Sequence, residues 1–269
     1  MTAQSPMPAP EPAPAHGFLR SRRPRSTGLA GAALALSVAL VAAGCGGGQG
    51  EPERPAAEAE PTAASGPTFS DPSSITNPWL PLSETPRVEL RGTDDGADIR
   101  VVRTLLDRTE PFEVDGETVE AAVVEDRAVE DGELHEIALD YYAQADDGTV
   151  YYMGEDVDNY ENGKVANHDG AFRYGEDTDA LGVAMPANPM PGDEFSFEDV
   201  PGVGSERNTV ATVGEPETFG GTTYEDALVV DGYVLPDEEE ESKYYARDIG
   251  LIREVGPESD VQLVDEGGA

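Results

Sequence analysis

The chain has 269 residues, with 55 acidic side chains against 17 basic ones and a net charge of −38. A field of that sign repels phosphate backbones, which excludes nucleic acid as a partner and makes cations the natural counter-species. One cysteine excludes an internal disulfide, and 30 glycines and 22 prolines, partly spent on tails, leave room for one core of roughly 200 residues.

The single cysteine has its explanation at the N-terminus. Arg20, Arg22, Arg23 and Arg25 form a positive segment, and Gly28 to Gly44 is an uncharged run of small and aliphatic residues ending at Cys45. This is the layout of a secretory signal peptide, and the run is short for a membrane span. The string LVAAGC resembles the lipobox of bacterial lipoproteins, although Ala42 stands where that pattern more often has Leu. The resemblance implies cleavage before Cys45, diacylation of its thiol, and display on the outer face of the bacterial cell membrane. Arg22-Arg23 suggests twin-arginine export, but Pro24, Arg25 and Ser26 occupy positions that such a signal fills with apolar residues, so the export route stays open. Cleavage would leave 13 basic against 54 acidic residues, a net charge of −41. Residues 1–44 are thus expected to be the signal peptide, 45–67 a lipidated linker, and 68–266 the folded body. The linker lacks aromatic residues and apolar periodicity, so it cannot bury enough surface to fold.

Folded structure is expected from about Phe69. Trp79, the only tryptophan, lies between Pro78 and Pro81 and reads as a plug at one end of a sheet, in preference to an exposed platform. Turn dipeptides then follow at Asp95-Gly96, Asp115-Gly116, Asp131-Gly132, Asp147-Gly148, Asn162-Gly163, Asp169-Gly170 and Asp231-Gly232. Between them apolar residues recur at period two, as in Val119, Ala121 and Val123 or Ile137, Leu139 and Tyr141. That alternation marks half-buried antiparallel strands. The expected fold is all-β: one antiparallel meander of roughly nine to twelve strands, curling into a sandwich or a half-open barrel.

The most informative stretch runs from Ala138 to Gly175. Leu139 to Gln144 and Thr149 to Met153 flank Asp146-Asp147-Gly148 and predict a β-hairpin. A weak echo follows, in which Tyr141-Tyr142-Ala143 is answered by Tyr244-Tyr245-Ala246, each pair offering one phenol to either face of its strand. Beyond Met153 the chain turns acidic and reads as a loop. Glu155, Asp156, Asp158, Asn162 and Asp169 could supply oxygens to Ca²⁺, the cofactor such a loop would take, with Tyr152, Tyr160 and His168 beside it as ligand contacts. The match to an EF-hand is poor, since Tyr160 falls on a ligand position and no flanking helices are expected. A solvated acidic loop is the competing reading, and the run Glu238 to Glu241 is likewise expected to face water.

The strings DYYAQ, GEDVDNYENGKV, Met185-Pro186-Ala187-Asn188-Pro189 and KYYARDIGLI resemble an uncharacterised family of secreted bacterial proteins and lipoproteins, over about Asn77 to Val264. The resemblance implies a β-rich extracytoplasmic domain and transfers no catalytic residue.

Enzymatic chemistry finds little footing. His135-Glu136 begins like a zinc-protease motif, but the second His is missing and the run alternates as a strand. There is no nucleophile elbow or phosphate-binding loop, and the cysteine is committed to lipid. The reading is therefore a non-catalytic binding or structural module, with a polysaccharide or an envelope protein as partner. A carrier of a lipophilic ligand in a curved sheet is the alternative, and a two-carboxylate glycoside hydrolase is less favoured.

Overall fold

The structure, a computed structural model, describes residues 66–236 and 238–265. The signal peptide, Cys45 and nearly all of the expected linker lie outside the described residues. No helix occurs among the described residues. They form fourteen strands: β1 (Arg87–Asp94), β2 (Ala97–Val114), β3 (Glu117–Glu130), β4 (Glu133–Gln144), β5 (Val150–Glu161), β6 (Lys164–Asn167), β7 (Phe172–Arg173), β8 (Gly182–Met185), β9 (Glu194–Val200), β10 (Gly204–Phe219), β11 (Thr222–Leu235), β12 (Glu239–Ala246), β13 (Gly250–Val255) and β14 (Ser259–Asp265). They belong to one antiparallel sheet in the order β6-β5-β4-β3-β2-β1-β14-β13-β12-β11-β10-β9, with β7 and β8 added to β5, and the sheet curves without closing into a barrel. The all-β meander expected from the sequence is therefore present, with more strands than the turn count suggested.

Turn chemistry explains the meander. Asp95-Gly96, Asp115-Gly116, Asp131-Gly132 and Asn162-Gly163 each place both residues at positive φ, with values from 46° to 85°. That is the twist-matched two-residue hairpin turn, which Asp-Gly and Asn-Gly accept at low steric cost. Asp231-Gly232 is different and corrects the expectation: it lies inside β11, not at a turn. The expected loop after Met153 is also a correction, because β5 runs on to Glu161. Glu155 and Asn159 take the sheltered face while Asp156 and Asp158 take the open one, so polarity alone did not mark a break.

The two tyrosine pairs prove to be register equivalents. In the β4–β5 hairpin the pairing slips between Tyr141, opposite Gly154, and Tyr142, opposite Tyr152. In the β12–β13 hairpin it slips between Tyr244, opposite Arg253, and Tyr245, opposite Leu251. Each is a β-bulge with one extra residue, Met153 or Ile252, on the returning strand. Reading outward along the ladders, Val124 pairs Asp140 as Val230 pairs Lys243, and Arg103 pairs Asp126 as Asn208 pairs Gly232. Strands β2 to β5 and β10 to β13 thus share one register, and their concave faces look into a common interior.

The core follows from that arrangement. Val124, Tyr142, Val150 and Tyr152 from the first half meet Val210, Leu228 and Val230 from the second in one buried cluster. Trp79 joins it, buried as a plug, with the Arg247 guanidinium 4.4 Å from its ring centre. The segment before β1 ties the two bulged hairpins together. Asp146 accepts from the Thr68 hydroxyl at 2.7 Å and the Ser70 amide at 2.8 Å, while the Asp248 amide donates to the Pro78 carbonyl at 2.7 Å. On the convex side Phe112, Val123, Tyr141 and Met153 form a second cluster covered by Phe69 and Leu181. Gly182 in β8 allows the rims of the sheet to approach, since a Cβ there would lie 1.9 Å from the Phe197 carbonyl oxygen of β9.

Candidate functional site

The concave interior is charged. A cavity of about 80 Å³ lies between the two halves, lined by six carboxylates (Asp126, Glu136, Asp140, Glu155, Glu206 and Glu254) and only two cations, Arg103 and Lys243. Its aromatic wall is Tyr142, Tyr152, Phe195, Phe197 and Tyr245. The volume suits a few waters or one small ligand head, at roughly 10–15 Å³ of such space per water.

From the first half, Arg103 on β2 forks onto Asp126 of β3, with Nε to Oδ1 at 3.0 Å and an Nη to Oδ2 at 2.7 Å. Asp140 on β4 accepts from the Tyr152 hydroxyl at 2.9 Å. Burial, and then the neighbouring Asp126, push the Asp140 carboxyl well above the usual range. Glu155 is raised likewise, by burial and then by Asp140 and Glu198. The bulge at Gly154 is what turns Glu155 inward. Gly154 has φ of 126°, and a Cβ on it would meet the Phe172 carbonyl oxygen at 2.3 Å. Because of the extra residue, Tyr152 and Glu155, three apart, share the concave face.

The second half repeats the geometry with different chemistry. Lys243 on β12 donates to Glu206 Oε1 of β10 at 2.7 Å, and its Nζ lies 2.7 Å from Glu241 Oε1. Burial alone would lower the ammonium, but Glu206, Glu241 and Glu254 outweigh it and hold Lys243 charged well beyond its ordinary range. Its Nζ also lies 5.4 Å from the Phe197 ring centre, and Phe197 stacks on Tyr152 at 4.5 Å. Glu254 occupies the register of Glu155. Burial, and then Glu241, push it from 4.5 up to about 8, so it is largely protonated at neutral pH. Glu241 corrects the expectation that all of Glu238 to Glu241 face water: its side chain is turned inward and only 11% exposed.

Among the described residues, three of the cavity's buried oxygens have no hydrogen-bond partner. They are Oε2 of Glu206, Oε2 of Glu254 and Oδ1 of Asn208, on residues 0%, 2% and 4% exposed. All three residues line the cavity. Buried acceptors of this kind are costly to leave unmet, so a donor entering the cavity would recover that free energy.

The residues singled out in the sequence are dispersed. Tyr152 and Glu155 face the cavity. Asp156 lies on the opposite face, accepting from Tyr141 at 2.7 Å and from Arg173 at 2.8 Å. Asp158 and His168 come together at 3.0 Å on the surface, where His168 Nδ1 also lies 2.8 Å from the Val157 carbonyl. Asn162 is at the β5–β6 turn and Asp169 is exposed, while Tyr160 is half-buried near the same end of β5. The five proposed calcium ligands therefore do not converge. Among the described residues no group of three or more His, Cys, Asp or Glu side chains is placed to hold a metal ion. Sequence reasoning missed Arg103, Asp126, Asp140, Glu206, Asn208, Lys243 and Glu254. The available signal was a polar residue at an inward position of the alternation, as in Val101-x-Arg103-x-Leu105 and Glu206-x-Asn208-x-Val210.

No family model matches the chain, and no curated protein matches it in sequence. A solved structure from Bacteroides fragilis, an exported-protein candidate with a YmcC-like fold, overlaps 66% of this chain and 92% of its own at 11% identity and a TM-score of 0.34. An overlap that slight transfers nothing to this chain.

Proposed function

We propose that the protein is a lipid-anchored extracytoplasmic binding protein that takes a small organic ammonium ion into the interior of its curved sheet. Three unmet buried oxygens carry this reading, in a cavity lined by six carboxyl groups and two cations. An ammonium group supplies up to three or four donors, which the unmet oxygens of Glu206 and Asn208 lack, and a positive charge that would favour the ionised form of Glu254. The ring faces of Tyr152 and Phe197 suit the alkyl or cationic part of such a ligand. A lipophilic carrier calls for a large apolar cavity, and this one is small and charged.

Export and anchoring are proposed from the sequence. The signal-like run before Cys45 supports them, and the acidic body would be repelled by an anionic membrane surface, which leaves the acyl chains to do the holding. Labelled palmitate should enter the wild-type chain and not Cys45→Ala, which should leave the membrane fraction; equal labelling of both ends the anchoring proposal. For the ligand, calorimetry of the full chain in detergent with propylammonium should give one saturable site that Glu206→Gln weakens at least tenfold. No heat at millimolar propylammonium would refute the reading.

A further inference from the structure

We infer that the ligand is a di- or polyammonium compound, with one ammonium in the interior cavity and a second in the acidic groove beside it. This rests on the amine reading above and specifies its substrate class. The groove encloses about 1070 Å³ between the β9–β10 edge, the far end of β11 and the start of β12, and it shares two wall residues with the cavity, Phe195 and Asn208. Its carboxylates are Glu194, Asp199, Asp231, Glu240 and Glu241, against one cation, Arg207.

The two halves differ at the wall that cavity and groove share. In the first half the register position is filled by Arg103 forked onto Asp126, a charged pair that seals the wall. In the second half the equivalent pair is Asn208 and Gly232. Gly232 has no side chain, and the Glu241 side chain and the Asn208 amide close the wall in its place: a Cβ there would lie 2.9 Å from Glu241 Cγ and 3.1 Å from Asn208 Oδ1. Asn208 donates to Glu206 at 2.9 Å, but its carbonyl oxygen is buried without a partner between cavity and groove. An N–H on a ligand reaching from cavity to groove would meet that oxygen. A monoamine could use only the inner half of such a site, whereas linked ammonium groups would use both, the second at high effective concentration.

The test is calorimetry of the full chain in detergent with propylammonium, 1,4-diaminobutane and a linear triamine. The diamine and triamine are expected to bind at least about tenfold more tightly than propylammonium. In the double variant Glu194→Gln/Glu240→Gln, both exposed positions, that advantage should shrink to about twofold or less while propylammonium binding is unchanged. If the diamine binds no better than propylammonium, or keeps its advantage in the double variant, the inference is overturned and the amine site stands. If no amine binds, the underlying reading fails as well.

Discussion

Glu155 and Glu254 stand at the same register position in two hairpins almost a hundred residues apart, each one residue past a bulge that turns it inward. Both are buried and both are held toward the protonated form, chiefly by burial. The interior is thus built around carboxyls that hold protons in the folded state and lose them on unfolding.

That linkage sets a pH dependence. Glu254 is raised from 4.5 to about 8, and Asp140 and Glu155 are raised in the same direction. Between about pH 4.5 and 8 the folded chain binds more protons than the unfolded one, so stability is fully present at the acid end and is lost as pH rises. Glu89 acts oppositely: the Arg100 hydrogen bond is the main cause that lowers it to about 2, so its contribution is lost as pH falls from about 4.5 toward 2. Thermal melts should show a stability maximum near pH 5. Glu254→Gln should flatten the decline toward pH 9, and an unchanged decline would contradict the assignment.

Amine binding should follow the same proton. An ammonium placed beside Glu254 favours its ionised form, so binding releases a proton below pH 8. Affinity for propylammonium should rise with pH from 6 to 8, by up to roughly tenfold per unit if one proton is released. Calorimetry in two buffers of different ionisation heat would detect the released proton directly.

Arg103 is enclosed with Asp126 and lies near Asp140. Arg103→Met leaves carboxylates buried without their cation and should cost about 3–5 kcal/mol in urea denaturation. The double variant Arg103→Met/Asp126→Leu should recover most of that loss, because a buried pair replaced by apolar groups of similar size is close to neutral. Equal losses in the two variants would show that packing, not charge, dominates.

Gly154→Ala combines an unfavourable φ of 126° with a backbone clash against Phe172. It should destabilise the domain by roughly 3 kcal/mol. Gly116→Ala, at a φ of 85° in open space, should cost about 1 kcal/mol. Similar melting temperatures for the two variants would argue against a bulge held by close contact.

Trp79→Ala removes a buried indole that closes the end of the interior and carries the Arg247 guanidinium. A loss of about 3–5 kcal/mol is expected in chemical denaturation.

Much of the fold was legible in the chain because its causes are local. Asp-Gly and Asn-Gly at left-handed φ make tight hairpins where alternating strands flank them, while the tyrosine hairpin turns through the longer loop 145–149 with Gly148 at positive φ. Asp231-Gly232 misled for an instructive reason: the same dipeptide lies mid-strand because Asn208 and Glu241 leave no room for a side chain at Gly232. The acidic run after Met153 misled because a bulge cannot be seen until a partner strand is present. Simple alternation puts Asp156 beside Tyr152, whereas the slipped pairing puts Glu155 there and sends Asp156 to Arg173 on the far face.

By itself the sequence determined the class of the body, an antiparallel meander with a strongly acidic surface, since turn dihedrals, period-two burial and net charge are properties of short segments and of composition. Only the tertiary structure decided which acids are sheltered. A carboxyl is held protonated, or paired with Lys243 or Arg103, only when strands from both halves of the chain close around it and remove water. That enclosure exists only once the two bulged hairpins face one another.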